Sequence, residues 1–366
     1  MVVDLANQQA AAGHLVSVIA GLDADPALLS HRLSPGIALT AVAPRGSSLR
    51  NAYLQAPGWI YARRAWLFEQ DIVHCHLTFG SVFGSLFSLA KRMTGRFGPV
   101  VIETYHAVGM PIPAHRRWLH AQMAARRDGL ALMAPDPWWS AFLKRRGGPE
   151  RRVIANGVDF GLTPSRTPAD LAAERKSLGI PSDAALVIGT VGQLRDDRRP
   201  WDFVPLFCRI ADVLGPQVHF VIAGEGPARQ RTEAAIAKYG MAGRVHLPGQ
   251  VDSAAQAAVA MDLYITLAVG PIVGLAALEA ASAGAPVIAR QLSPGHQSEP
   301  GHWFWSSGAE AEIAAEAIRL LSARGERTAL ARRQQQHVLA NFGAAAMAKA
   351  YEDFYRTVLS RTAPTN

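Results

Sequence analysis

Short apolar runs of strand length alternate with helix-length segments along nearly the whole chain, and this rhythm most constrains what it can fold into. A strand returns to pair in parallel with its predecessor only through a crossover of a dozen or more residues, usually a helix. The alternation therefore predicts an α/β protein built on parallel sheets with helices on their faces. In the first half the strand-like runs are Leu15–Ala20, Ile37–Val42, Asp71–Cys75, Val100–Thr104, Leu130–Met133 and Arg152–Ile154. Helical patterns fill Val2–Ala12, Phe79–Met93, His115–Arg127 and Trp138–Lys144. The second half repeats the rhythm, with strands at Ala185–Val191, His219–Ala223, Val245–Leu247, Leu263–Thr266 and Pro286–Ala289 and helices near 201–213, 227–239 and 273–283.

A chain of 366 residues is long enough for about two domains. Asn156–Gly157–Val158–Asp159 and the loop-like GLTPSRTPAD separate the halves. The expected organisation is a Rossmann-like N-terminal domain over residues 1–160 and a Rossmann-like C-terminal domain over 161–343. A last helical segment, 344–366, is expected to pack back on the first domain. Its stripe of Met347, Tyr351, Phe354, Tyr355 and Leu359 has the spacing of a helix face. Two doubly wound domains facing one cleft is the simplest arrangement, with ligand sites at the carboxyl ends of the strands. The start is irregular, because helix-like VVDLANQQAAAGH comes first. A doubly wound domain usually opens with a strand and a glycine-rich turn, so the first strand of the N-terminal domain is expected to be missing. A true start upstream of Met1 is the favoured account.

With 49% hydrophobic and 18% charged residues, the sequence describes a soluble globular protein with a sizeable core. It contains no run of about 18 apolar residues and no leader pattern, which argues against a spanning helix and against secretion. Only Cys75 and Cys208 are present, so a disulfide scaffold or cysteine metal site is not expected, and a reducing cytoplasm is the default. Residues 1–160 hold 17 basic against 10 acidic side chains, and the remainder 20 against 19, so the positive charge belongs to the first half. Its arginines come in scattered pairs without a nucleic-acid-binding module. They suit an anionic membrane surface or acidic acceptor, or simply a solvated basic face.

Several segments could carry chemistry. Met261–Arg290 reads as strand, glycine-containing loop, helix, glycine stop and strand, with Glu279 as the one charge between Asp262 and Arg290. A helix N-terminus near Gly274 and Leu275 offers unpaired N–H groups to phosphate. Glu279, about a turn further in, can accept hydrogen bonds from sugar hydroxyls, or simply keep its head in water. The strand ending at Val191 leads into Gly192, Arg195, Arg198 and Arg199 just before a helix. Guanidinium groups there can grip a pyrophosphate, or pair with Asp196 and Asp197 at the surface. Gly224 and Gly226 form a third strand-to-helix turn open to close backbone approach. In the first half His106 follows a strand end, where a doubly wound fold places functional side chains. His74 and His76 share one sheet face, with no obvious third metal ligand. Asp23 and Asp25 resemble a metal-binding acidic pair, but Asp25–Pro26 reads better as a helix cap.

Taken together, these pieces resemble the retaining GT-B glycosyltransferases of family 4 (group 1). RVIANGVDF is similar to the family's I-x-N-G-V-D, and VGQLRDDRRP to its G-R-L-x-x-x-K. VIAGEGPARQ matches the G-x-G-P turn, RVHLPGQV the strand and turn that face the base, and GLAALEAASAGAPVIA the glutamate helix. In the first half AAGHLVSVIA, DIVHCH and the strand before His106 are similar too. The resemblance implies sugar transfer from a nucleotide-diphosphate sugar to a polysaccharide, glycolipid or other glycan acceptor, with retention. It implies no metal and no cofactor beyond the donor itself, and no nucleic-acid partner. By position, Arg198 would grip the pyrophosphate and Glu279 the ribose, within a donor set of Gly192, Arg195, Arg198, Gly224, Gly226, Val251, Gly274, Leu275 and Glu279. His106 would be the catalytic residue, near the transferred sugar. The expected location is cytoplasmic, with docking at the inner membrane face through the basic first domain. Three positions depart from the pattern: Gln193 stands for an arginine, Arg198 for a lysine, and Pro271 for the first glutamate of an E-x7-E pair. They motivate a second reading, a homologue that binds a nucleotide sugar or partner without transfer. A third, a sugar-nucleotide epimerase or hydrolase of the same fold, lacks the extra carboxylates it would need.

Overall fold

A computed structural model describes residues 1–22, 32–95, 98–108, 112–144, 148–161, 164–267, 273–290 and 309–362. The chain forms two compact units, Met1–Asp159 with Ala344–Asn366, and Phe160–Gly343. Both are α/β with parallel sheets.

In the first unit the strands are β1 (Ser17–Leu22), β2 (Ala38–Ala43), β3 (Ile72–His76), β4 (Val100–Tyr105), β5 (Gly129–Leu132) and β6 (Glu150–Val153). They form two parallel sheets, β1–β2 and β3–β4–β5–β6. Among the described residues no strand precedes β1, in line with the expected missing first strand, and no ladder joins β1 to β3. Burial follows this split: β4 and β5 are buried throughout, whereas only Cys75 is fully buried on β3. Side chains alternate along β4, as the pleat requires. Val100 and Ile102 pack with Tyr351, Phe354 and Val358 of helix Ala344–Thr362. Val101 packs on the other face with Phe83 and Phe87 of helix Leu77–Thr94. The C-terminal helix buries Met347, Tyr351, Phe354 and Tyr355 as its stripe predicts. Leu359 is exposed instead, and Val358 takes the buried place because the 3.6-residue period has rotated the stripe by one position.

The second unit carries β7 (Leu186–Val191), β8 (Val218–Ala223), β9 (Val245–His246), β10 (Leu263–Thr266) and β11 (Val287–Ala289), in the order β11–β10–β7–β8–β9. Ile188, Phe220, Ile222, Leu263, Ile265 and Ile288 meet the buried sides of helices Phe203–Leu214 and Glu310–Ser322 in one core. Phe207 stacks on Phe220 with ring centroids 4.5 Å apart. Several helices went unread in the sequence, among them Leu49–Ala62, which holds Pro57, and Arg324–Asn341. The segment read as loop, GLTPSRTPAD, ends inside helix Pro168–Ser177. Thr167 and Asp170 close a capping box there, and Pro168 occupies the first turn. Asp23, Asp25 and Pro271 lie outside the described residues.

Candidate functional site

In an open parallel sheet the ligand crevice lies where strand order reverses. In the second unit that point falls between β7 and β10, since β8 and β9 lie to one side of β7 and β10 and β11 to the other.

The loops at this edge are laced by backbone bonds. Gly192 N–H donates to Ala223 O (2.9 Å), Leu194 N–H to Glu225 O (2.9 Å), Ala228 N–H to Leu194 O (2.8 Å) and Gly224 N–H to Gly249 O (2.7 Å). Gly224 and Gly226 have φ of 139° and 151°. A Cβ on Gly224 would fall on the carbonyl oxygen of Gly192, and one on Gly226 on that of Leu194. The close approach these glycines allow is thus loop against loop.

The same loop sorts its arginines. Arg198 and Arg199 N–H both donate to Arg195 O at 3.1 Å, closing a turn. Arg199 takes a left-handed conformation (φ 47°, ψ 57°), which costs a side-chain-bearing residue roughly 1–2 kcal/mol. Its guanidinium is held by Asp202 at 2.7 and 3.2 Å. Arg195 is held bidentately by Asp197, at 2.9 Å on both arms, in a half-exposed pair. Arg198 has no ion-pair partner among the described residues, and its Nη1 lies 3.8 Å from where a Gly192 Cβ would be. Of the arginines proposed from sequence, Arg198 is therefore the one whose charge remains available beside the strand end.

On the other side of the crevice, Gly274 is the N-cap of helix Leu275–Ser282, with no side chain capping its first turn. Glu279 is half-buried on the second turn of that helix, and Val251 is half-buried in the loop after β9. Between the two sides stands a residue the sequence reading passed over. Tyr264, fully buried on β10, accepts a hydrogen bond from Val191 N–H (3.2 Å) and donates to Val191 O (3.1 Å). Burial raises its phenol pKa against the hydrogen bonds with the Val191 backbone and the Thr190 side chain, with smaller contributions from Glu279, which adds to the rise, and Arg198, which opposes it. An aromatic in a short apolar strand looks like core in sequence, and only the parting of β7 and β10 reveals its hydroxyl's partners.

The first unit holds a histidine cluster at the carboxyl ends of β3 and β4. His74 and His76, two apart on β3, have ring centroids 4.0 Å apart. His76 Nδ1 lies 3.1 Å from Nε2 of His106, just past the end of β4. His74 bridges Tyr355 Oη (2.7 Å) and Thr104 Oγ1 (2.8 Å), and Thr104 meets Tyr351 Oη at 2.9 Å. Burial pushes His74 down to about 3, helped by repulsion from His106. Burial and the Met1 amino group push His106 down to about 4 against the pull of Glu103. His76 also lies well below the usual histidine range, through burial and then its two neighbours. All three rings are neutral at neutral pH, so His106 can offer a hydrogen bond but no positive charge. Glu103, which alternates with Thr104 on β4 and faces helix Leu77–Thr94, is fully buried and paired with Arg127 Nε (3.0 Å), His120 Nε2 (2.5 Å) and Ser81 Oγ (2.7 Å). Burial alone would raise its pKa, but His120 and Arg127 hold it below the usual value. Among the described residues no group of three or more His, Cys, Asp or Glu is arranged to hold a metal, and no helix is long and apolar enough to cross a membrane.

Comparison with known proteins agrees with this architecture. Residues 185–323 match the family of glycosyl transferases group 1, and residues 1–161 match Glycosyltransferase Family 4. A 2-deoxystreptamine glucosyltransferase of Streptomyces kanamyceticus is 28% identical over 62% of this chain and 60% of its own. The putative glycosyltransferase EpsD of Bacillus subtilis is 24% identical over 61% of this chain and 59% of its own. The chain thus spans about three fifths of the length of these curated relatives. In fold it is similar to Anabaena Alr3699/HepE, solved in complex with UDP and glucose, with a TM-score of 0.76 and 19% identity over 97% of this chain and 95% of that one. Sucrose-phosphate synthase of Thermosynechococcus elongatus superposes with a TM-score of 0.75 and 21% identity over 98% and 92%. Both family matches, one to each half, and the full-length likeness in fold lead to one assignment: the chain is a GT-B-fold protein related to the family 4 (group 1) nucleotide-sugar glycosyltransferases.

Proposed function

We propose that this protein transfers a sugar from a nucleotide-diphosphate donor to a glycan or lipid-linked acceptor, with retention of the anomeric configuration. The observation that carries this reading is the uncommitted Arg198 guanidinium beside Gly192, at the strand-order reversal, with Glu279 across the crevice. A diphosphate leaving group gains negative charge as the sugar departs. A guanidinium and the N–H groups of helix Leu275–Ser282 would offset that charge without a metal. Glu279 would take the ribose hydroxyls, and His106, held neutral, would offer one hydrogen bond on the acceptor side. UDP in the similarly folded HepE supports a uridine nucleotide as the first donor to try.

Calorimetric titration with UDP tests the site. Arg198→Ala and Glu279→Ala should each weaken binding about tenfold, the scale of one hydrogen bond to a charged group. Arg195→Ala, which removes a surface ion pair, should change it less than twofold. Unchanged affinity in both of the first two variants would sink the assignment. Gln193 favours a second reading, binding without transfer: it is exposed and uncharged where the motif it resembles has an arginine. That reading requires UDP to bind while no nucleotide sugar is consumed with any acceptor. We also propose that the basic first unit touches an anionic membrane, where exposed Trp118 and Leu119 follow Arg116 and Arg117 on helix Ala114–Ala124. Failure to co-sediment with anionic vesicles at low salt would remove that contact.

A further inference from the structure

β10 pairs with β7 at Leu263↔Ile188 and Tyr264↔Gly189 and no further. On its other edge β7 stays paired with β8 from Leu186↔Val218 to Val191↔Ala223. The crevice therefore opens because β10 leaves β7 two residues before β7 ends. That parting strands the N–H and C=O of Val191, which a continued ladder would have satisfied, and buried backbone groups rarely go unpaired. The Tyr264 hydroxyl takes both, accepting from the N–H at 3.2 Å and donating to the C=O at 3.1 Å. A hydroxyl has one proton and spare lone pairs, so one side chain can stand in for two backbone partners. Phenylalanine would fill the same space and satisfy neither.

We propose that Tyr264 is a positioning residue of the donor site: its phenol props β7 and β10 apart and fixes the Val191–Gly192 turn beside which Arg198 lies. This role rests on the donor-site reading above. Without the hydroxyl, water enters to hydrate Val191, or β10 zips further along β7. Either change moves Gly192, and with it the loop bonded to Ala223 and Glu225 that carries Arg198. The prop needs no contact with the nucleotide, and it acts on geometry more than on global stability.

The test compares full-length wild type with Tyr264→Phe by amide hydrogen exchange without ligand, by thermal unfolding, and by UDP titration well below the unfolding temperature. The expected result is faster exchange at Val191 and Gly192 and a UDP Kd raised at least tenfold in a chain that is still folded. Unchanged exchange at Val191 overturns the prop. Faster exchange with a UDP Kd within twofold of wild type also overturns it, since the phenol would then serve stability alone. If Tyr264→Phe does not fold, 3-fluorotyrosine at position 264 keeps ring and hydroxyl while altering both hydrogen bonds. It must then shift Val191 exchange and UDP affinity together, and a shift in neither refutes the proposal. A wild-type chain that binds no nucleoside diphosphate refutes the donor-site reading, and the positioning role falls with it. The exchange measurement tells that failure apart from failure of the prop.

Discussion

Acidification should loosen the first unit by several kcal/mol, and the histidine cluster sets both the sign and the size. In the folded chain His74 titrates at about 3, His106 at about 4, and His76 well below the ordinary value, all chiefly through burial. Unfolded histidine titrates near ~6.5. The folded pKa is thus the lower one, and the unfolded chain binds more protons throughout the interval between. Stability is fully present above about pH 6.5 and is lost as pH falls from there toward the folded values. At pH 5 the deficit is about 1.5 units for His74 and for His106, or about 2 kcal/mol each at ~1.36 kcal/mol per unit. These two rings together then cost about 4 kcal/mol, and His76 adds to the loss in the same direction, against roughly 5–15 kcal/mol for the total stability of a typical domain. The His219–His246 pair of the second unit, 3.0 Å apart and also shifted down by burial, has the same sign, so the units must be read separately. Urea unfolding at pH 7.5, 6 and 5, followed by hydrogen exchange of peptides spanning β3 and β4, isolates the first unit. Histidine C2–H exchange reports each ring's pKa directly. A first unit equally stable at pH 7.5 and 5, or His74 and His106 titrating near the unfolded value, would show the reasoning to be wrong.

Glu103→Ala should destabilise the first unit by about 3–5 kcal/mol, because it leaves the fully buried Arg127 guanidinium without its carboxylate; chemical denaturation measures this, and a loss under about 1 kcal/mol would mean that the pair is dispensable. Gly224→Ala should either fail to fold or lose several kcal/mol, since the added methyl meets the Gly192 carbonyl at a φ of 139°. Wild-type melting and UDP affinity in that variant would show that the loops are not laced as described.

How far the sequence could be read depended on how local each signal is. β10 coincides with its predicted run, Leu263–Thr266, and β7, β8 and β11 lie within one residue of theirs, because parallel strands buried over most of their length are mainly apolar runs. Helix Leu49–Ala62 was hidden by Pro57 and by its exposed Leu54 and Tyr61, which blur the apolar stripe. Arg324–Asn341 was hidden because only one narrow side of it is buried. In the site, glycine turns and a helix acid were legible as types, since backbone freedom and charge are written in residue identity. Which arginine is left available was not, because that depends on Asp197 and Asp202 meeting Arg195 and Arg199 in a turn that only the folded loop makes. Tyr264 was illegible for the same reason.

The commitment of charge in that loop also bears on transfer against mere binding. With Gln193 neutral and Arg195 and Arg199 held by aspartates, Arg198 is the loop cation, among the described residues, left to meet a diphosphate. A sugar-bearing diphosphate carries less negative charge than the free nucleotide it becomes, and the extra charge develops as the sugar leaves. An interaction accelerates transfer only to the extent that it strengthens along that path. A transferase therefore requires Arg198 to contribute more to holding UDP than to holding UDP-sugar. A protein that merely binds has no such requirement, and its Arg198 could serve both ligands equally. The two affinities, measured in wild type and Arg198→Ala, separate these cases by a ratio of ratios that is insensitive to how well the variant folds. A larger loss for UDP is necessary for transfer, and consumption of a nucleotide sugar then establishes it; equal losses would leave Gln193 as the mark of a site that holds its donor without using it.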